Sequence, residues 1–397
     1  MRILSGLLIL IVVGAGIGLY VVTLPRPVAP APAPVSAVTL EKLPQQRKGQ
    51  VLIYGAYGFS GTGISRLAES YGIRPVLAGR NEARLKPLAD SLGYDYVVLS
   101  LENNHDNLVA VLKHFELVLH IAGPYTQTSL PMLNAAVDAK THYLDLTGEN
   151  HVIQAQLDRD EEFKQANIMV MPAVGYDVVP TDCLNLYVAN KVDNPTELTV
   201  FLNGNYNDVT GAATSRGTAK SALEVLSRPL LMRIDGKMVS VPESKIMTRT
   251  SDEREQTLVQ IPWADMVTSY VSTGIPTIEV YQVQDGQIPA WLPGLARFDF
   301  GRRVLSWIID RYLPEGPPEG IRDSRQTRIV STATNAEGEF ATATLVTPEA
   351  YFLTFHSALI VAKRVLDGYW DPGFQTPAKM YGTDLVLEVP GVTRSDG

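Results

Sequence analysis

Short apolar runs alternate with stretches of helical periodicity over residues 50–172. Residues 50–54 (QVLIY), 74–80, 96–101, 117–121 and 168–172 are apolar runs of strand length. Between them, 64–71, 82–92 and 108–114 carry apolar positions at helical spacing. Strands alternating with helices at this pitch predict a right-handed, doubly wound parallel sheet of Rossmann type. In residues 141–149 the positions alternate as in a strand, which places Tyr143 and Asp145 on one face.

From 197 to about 283 the pattern changes to separated β-rich runs (198–202, 239–241, 277–282) around one helical stretch, 217–227. Further runs at 328–331 and 341–346 flank Asn335-Ala336-Glu337-Gly338, and a long helix is expected over 348–366. This reads as a second α/β domain with a mostly antiparallel sheet. The expected organisation is an anchor over 1–23, a Pro/Ala-rich linker over 24–48, a nucleotide-binding domain over 49–185, a substrate or dimerisation domain over 186–350, and a C-terminal helix and tail over 351–397 that return to the body. A homodimer is the candidate assembly.

The first segment poses a membrane question. Residues 3–23 form an uncharged apolar run long enough to cross a hydrocarbon core and longer than a typical signal core. We read it as a single-pass transmembrane helix, with a cleaved secretory signal as the rival. Arg26, Lys42, Arg47 and Lys48 after the run outnumber Arg2 before it, which favours the body on the cytoplasmic side. The prolines of PRPVAPAPAP make an extended spacer.

Composition narrows the function. With 34 Lys+Arg against 42 Asp+Glu, a formal charge of −8 argues against a nucleic-acid surface. The single cysteine, Cys183, cannot form an internal disulfide and reads as a buried apolar residue, and six histidines without zinc spacing give no metal site. No serine elbow or Walker loop is present, so hydrolase and kinase chemistry lacks support.

The glycine turn carries the clearest chemistry. Gly55, Gly58 and Gly61 directly follow the first strand and open a helix, where they allow a tight turn, close approach of a pyrophosphate, and close helix–strand packing. Tyr57, Phe59 and Ser60 complete this cofactor loop. The second strand ends in Arg80-Asn81, 25 residues after Gly55, where an arginine suits the 2′-phosphate of NADP and an acid would suit NAD. Helix capping is the alternative role for both residues. Ala122, Gly123 and Pro124 follow the fourth strand and fall beside the nicotinamide ribose, with Tyr125 lining the site.

Candidate proton carriers are Tyr125, His142, Asp145 and Glu149. Tyr176 and Asp177 leave the sheet at its carboxyl edge and are candidates to face the cleft. Asp182 is expected to cap the following helix, in which Pro180 stands near the first turn. Residues 295–316 combine Phe298, Phe300, Trp307 and Ile308 with Arg297, Arg302, Arg303 and Arg311; this fits either a core or subunit contact or a membrane-interface helix.

Taken in order, GAYGFSG (55–61), LAGRN (77–81), AGPY (122–125), THYLDLTGE (141–149), GYDVVPTD (175–182) and GTAKSAL (217–223) resemble the saccharopine dehydrogenase-like oxidoreductases, in particular their trans-acting enoyl reductase branch. EGPPE (315–319), GFQTPA (373–378) and Tyr381-Gly382 extend the resemblance. It implies an NADP-binding Rossmann domain facing a second sheet across an active cleft. The chain departs from the family pattern at Tyr57, at Ser100 and around Thr128-Ser129. The expected activity is reduction of a C=C or C=N bond in a lipid-like or amino-acid-derived substrate. A non-catalytic nucleotide-binding membrane scaffold or redox sensor is the alternative. A saccharopine-type enzyme is a third reading, for which Arg216 and Lys220 would be the carboxylate-binding candidates.

Overall fold

The computed structural model describes residues 43–102, 104–204, 214–251, 254–283 and 291–397. The apolar run 3–23 and most of the linker lie outside the described residues. Among those described, no helix is long and apolar enough to cross a membrane. The folded body begins earlier than Gly49. Leu43 is buried, His114 Nδ1 lies 2.9 Å from the Pro44 carbonyl, and Arg47 donates to the Ala139 carbonyl at 2.8 Å.

The first domain runs β1 (Val51–Tyr54), α1 (Phe59–Leu67), β2 (Val76–Gly79), α2 (Glu82–Leu92), β3 (Tyr96–Val98), α3 (His105–Leu112), β4 (Leu117–His120), α4 (Tyr125–Ala139), β5 (His142–Asp145), α5 (Asn150–Leu157), α6 (Asp160–Ala166) and β6 (Met169–Met171). Its strands are parallel in the order β3-β2-β1-β4-β5-β6, the doubly wound arrangement whose switch point lies between β1 and β4. β1, β2, β4, β5 and β6 are buried throughout, as a sheet covered on both faces requires.

α7 (Val179–Ala189) leads into a second sheet of β7 (Pro195–Asn203), α8 (Arg216–Leu226), β8 (Leu230–Ile234), β9 (Lys237–Val241), β10 (Ile246–Ser251), β11 (Arg254–Gln260), α9 (Asp265–Thr273), β12 (Thr277–Val283), α10 (Trp291–Ala296), α11 (Asp299–Tyr312), α12 (Glu319–Ser324), β13 (Gln326–Asn335) and β14 (Phe340–Pro348). The pairing is antiparallel except for β7 with β12, which run parallel, so the sheet is mixed. β7 and β13 alternate buried and more exposed positions, the mark of a sheet with one covered face.

The C-terminal segment stitches the two sheets together. α13 (Ala350–Leu366) packs on α1, β15 (Gly373–Phe374) adds in parallel to β6, and, after α14 (Pro377–Tyr381), β16 (Thr393–Asp396) pairs with β14. Asp182 does not cap its own helix, whose N-cap is Val178. Its carboxylate reaches across, accepting the Ala378 amide of α14 at 2.8 Å and the Ser272 hydroxyl at 2.7 Å. Cys183 is fully buried.

Candidate active site

A cleft of about 2040 Å3 lies between the carboxyl edge of the parallel sheet and the second domain. That is about twice the upper end of the usual small-molecule range, enough for a dinucleotide and a second ligand together.

The nucleotide wall is built from backbone. Gly55 has φ +86, and a Cβ there would stand 2.9 Å from the Ile121 carbonyl carbon. A Cβ on Gly61 would meet the Gly55 oxygen at 2.3 Å and the Ala56 Cα at 2.8 Å, so α1 crosses the glycine turn at a distance only glycine permits. No side chain caps α1 at Gly58, which leaves the first-turn amides of Phe59 and Ser60 directed at the cleft they line. A helix N-terminus of this kind suits a pyrophosphate.

Arg80 lines the cleft at the end of β2 and makes no ion pair among the described residues. Asn81 turns away, its side chain accepting the Arg84 amide at 3.3 Å as the N-cap of α2. Arg84 is held by Glu315 at 3.0 Å and lies over the Tyr57 ring at 4.9 Å. The Tyr57 ring covers Gly79, where a Cβ would stand 2.5 Å from Cε1. The bulk at position 57 is thus accommodated by the missing side chain at 79. Amides for a pyrophosphate and a cation for a 2′-phosphate are both present, so these residues fit NADP.

Ala122, Gly123 and Pro124 line the cleft after β4, with a cis Gly123–Pro124 bond. Tyr125 is also at the wall, but its hydroxyl is committed: it donates to the His120 carbonyl at 3.2 Å and accepts from the Leu146 amide at 3.3 Å. Burial holds that phenol well above its ordinary pKa.

Three expected proton carriers serve the scaffold. Glu149 is buried and caps α4: its carboxylate accepts the amides of Tyr125 at 3.0 Å and Thr126 at 2.8 Å, the Thr126 hydroxyl, and across the domain boundary the Ser221 hydroxyl at 3.2 Å. Asp145 has no exposed surface and accepts four hydrogen bonds, from the amides of Thr147 and Ala173, Tyr143 Oη and Gln156 Nε2. Burial raises its pKa and those bonds oppose the rise. His142 opens β5 at the amino edge of the sheet, opposite the cleft. It accepts the Met169 amide at 3.0 Å and rests against Trp370, and burial pushes its pKa down to about 4. None of the three lines the cleft.

Asp177, in the turn after β6, is one of the carboxyl groups that line the cleft. It sits directly over Gly148, where a Cβ would fall 2.3 Å from Oδ2. Burial and the neighbouring Glu149 raise its pKa to about 6. Glu349, pushed up by burial to about 7, lines the wall behind it, but its carboxylate caps α13 through the Tyr351 and Phe352 amides.

His120 was not singled out by the sequence pattern. It ends β4, just before the residues that line the cleft, ringed by Tyr54, Tyr125 and Tyr143, with its pKa driven down to about 3 by burial. Tyr143 donates to Asp145 at 2.9 Å, so its oxygen accepts from His120 Nδ1 at 3.0 Å.

The second domain supplies a different wall. Val225, Leu226, Leu230, Ile246, Val259 and Ile261 give it an apolar surface. The candidate carboxylate binders are already engaged: Arg216 Nε donates to the Leu313 carbonyl at 2.6 Å, and Lys220 pairs with Asp310 at 2.7 Å.

Comparison with known proteins agrees with this geometry. Residues 51–171 match the family model described as saccharopine dehydrogenase NADP binding domain. The trans-acting enoyl reductase of Mycobacterium ulcerans is 32% identical over 149 residues, covering 36% of this chain and 35% of that protein. That of Mycobacterium leprae is 33% identical over 152 residues, covering 36% of each. The matched segment thus spans about a third of these relatives' length. Among solved structures, apo saccharopine dehydrogenase (L-Glu forming) from Saccharomyces cerevisiae superposes with a TM-score of 0.58 at 15% identity, over 88% of this chain and 99% of that one. At that identity the likeness is one of fold.

Proposed function

We propose, from the premise that this chain belongs with the saccharopine dehydrogenase-like NADP-binding proteins, that it is an NADPH-dependent reductase of a carbon–carbon double bond in an apolar, acyl-type substrate. The observation that carries this reading is the two-walled cleft. One wall offers glycine-turn amides and Arg80 to the cofactor, and the other carries a run of apolar side chains on which Arg216 is already bound to a protein carbonyl, with Arg228 and Arg297 beside them. The similarity to trans-acting enoyl reductases supports the double bond, and the occupied Arg216 and Lys220 weigh against a multiply charged amino-acid substrate.

NADPH, when bound, supplies the hydride. The chain orients the cofactor through the α1 amides and Arg80, and its apolar wall excludes water from the alkene. The matching proton comes from Asp177, whose pKa of about 6 keeps part of the population protonated near neutrality. As the new C–H bond forms, the Asp177 O–H bond breaks. Solvent then returns the proton to the carboxylate.

The reading is tested by following loss of nicotinamide absorbance with NADPH and an α,β-unsaturated acyl thioester series of rising chain length, and, as the amino-acid control, gain of nicotinamide absorbance with NADP+ and saccharopine. Turnover of the thioesters that improves with chain length supports it. Turnover of saccharopine alone, or of no substrate despite NADPH binding, overturns it in favour of an amino-acid enzyme or a nucleotide-binding scaffold. The run 3–23 adds a further proposal, that the body is tethered to a membrane on its cytoplasmic side.

A further inference from the structure

α11 carries two adjoining apolar stripes, and among the described residues only one of them is packed against the body. Gly301, Leu305 and Ile309, spaced i, i+4, i+8, face inward; Leu305 is buried with Leu223 and Ala296, and a Cβ on Gly301 would stand 2.0 Å from the Leu295 oxygen. The second stripe, Phe300, Val304, Trp307 and Ile308, follows i, i+4, i+7, i+8 along the flank of the first and turns outward. Trp307 is 42% exposed, and the flanking Phe298 and Tyr312 are 68% and 69% exposed.

Charge on this helix is sorted as well. Asp299 and Asp310 are neutralised by Arg302 and Lys220. Arg297, Arg303 and Arg311 form no ion pair among the described residues. The exposed stripe therefore carries uncompensated positive charge on a chain of net charge −8. Aromatic rings beside arginines are the side chains that settle at the headgroup level of a bilayer, with the cations drawn to anionic lipid.

The helix is also fixed to the cleft. Arg297, Asp310 and Glu315 line its mouth, while Arg216 and Lys220 tie α11 and its C-terminal end to α8, whose Ser221 and Val225 stand in the wall. We infer that α11 is an interfacial helix that seats the mouth of the cleft on an anionic lipid surface, through Phe298, Phe300, Trp307 and Ile308 and the arginines 297, 303 and 311. A substrate carrying a long alkyl chain then passes from the bilayer into the cleft without crossing water. This consequence rests on the proposed reductase reading; the contact itself does not.

The test uses the full chain with vesicles of phosphatidylcholine, with or without phosphatidylglycerol, whose acyl chains are brominated. Tryptophan quenching reports penetration of the ring. The inference expects quenching that is stronger with the anionic lipid, that drops to a residual level in Trp307→Phe, and that is lost likewise in Arg303→Glu/Arg311→Glu with an unchanged circular dichroism spectrum. A run 3–23 inserted in the bilayer contains no tryptophan, so it does not mimic this signal. Equal quenching in wild type and Trp307→Phe overturns the inference. So does protection of Trp307 that depends on protein concentration without lipid and accompanies dimer formation, which makes the stripe a subunit contact. Neither readout depends on turnover, so failure here is separate from failure of the reductase reading.

Discussion

Replacing Asp177 by Asn removes the carboxyl group proposed as proton donor while keeping its shape. In the folded protein its pKa stands at about 6 against an ordinary 3.8. Because the folded pKa is raised, the native state holds this proton more tightly than the unfolded chain, and the group destabilises the fold progressively as pH rises from about 4 to about 6. Two pKa units correspond to about 3 kcal/mol, and Asp177 keeps some contact with solvent, so a loss of about 1–3 kcal/mol is expected across that window. Asp182, Asp265 and Glu349 are also raised by burial, but they are common to both proteins and cancel in the difference. Urea unfolding of wild type and Asp177→Asn at pH 4 and at pH 7.5 measures it: relative to wild type, the variant gains about 1–3 kcal/mol at the higher pH. In turnover, the variant loses about 10²–10⁴-fold in kcat, together with the decline of wild-type kcat above pH 6. A stability difference that does not change with pH refutes the assigned environment. Turnover within a few-fold of wild type, with the same pH profile, refutes the proton role.

Glu149→Ala strands the Tyr125 and Thr126 amides at the start of α4 and is expected to cost about 2–4 kcal/mol, read as a lower urea midpoint with unchanged slope; Glu149→Gln, which keeps an acceptor, loses less. Gly61→Ala forces α1 away from Gly55 and Ala56, so NADPH affinity falls by about tenfold or more and stability by about 1–3 kcal/mol. His142→Gln leaves turnover within about twofold of wild type, because the ring lies at the edge of the sheet away from the cleft. Its folded pKa is lowered from 6.5 to about 4, so wild type loses stability as pH falls through that interval, and His142→Gln unfolds with a weaker dependence there.

The Rossmann half was legible because each level of the sequence agrees with the others: short apolar runs for buried parallel strands, and glycines where the chain doubles back at the switch point. Asn81 was legible in type and ambiguous in role, since a residue after a strand that begins a helix satisfies both a cofactor and a capping pattern; the amide it accepts decides for the cap. THYLDLTGE misled for a physical reason. A carboxylate at the end of a buried strand looks catalytic in sequence, yet the hydrogen bonds that Asp145 and Glu149 accept come from residues as distant as Ala173, through its amide, and Ser221, through its hydroxyl, which no local pattern announces. His142 stood at the start of its strand, and position within the strand, not residue type, removed it from the cleft. Asp177 was visible only as a residue leaving the carboxyl edge; its isolation over Gly148 depends on the three-dimensional turn. The parallel pairing of β7 with β12 and the return of β15 to the first sheet are long-range choices without a local signature.

The claim on which the rest depends is that the glycine turn and Arg80 hold NADPH. Fluorescence titration of the full chain with NADPH and NADH, beside Arg80→Ala, tests it most directly. NADPH is expected to bind about 10–100-fold more tightly than NADH, and Arg80→Ala to remove this preference while leaving NADH affinity nearly unchanged. Equal affinity for the two cofactors in wild type, or a preference that survives Arg80→Ala, contradicts the assignment of Arg80; absence of binding by either contradicts the account as a whole.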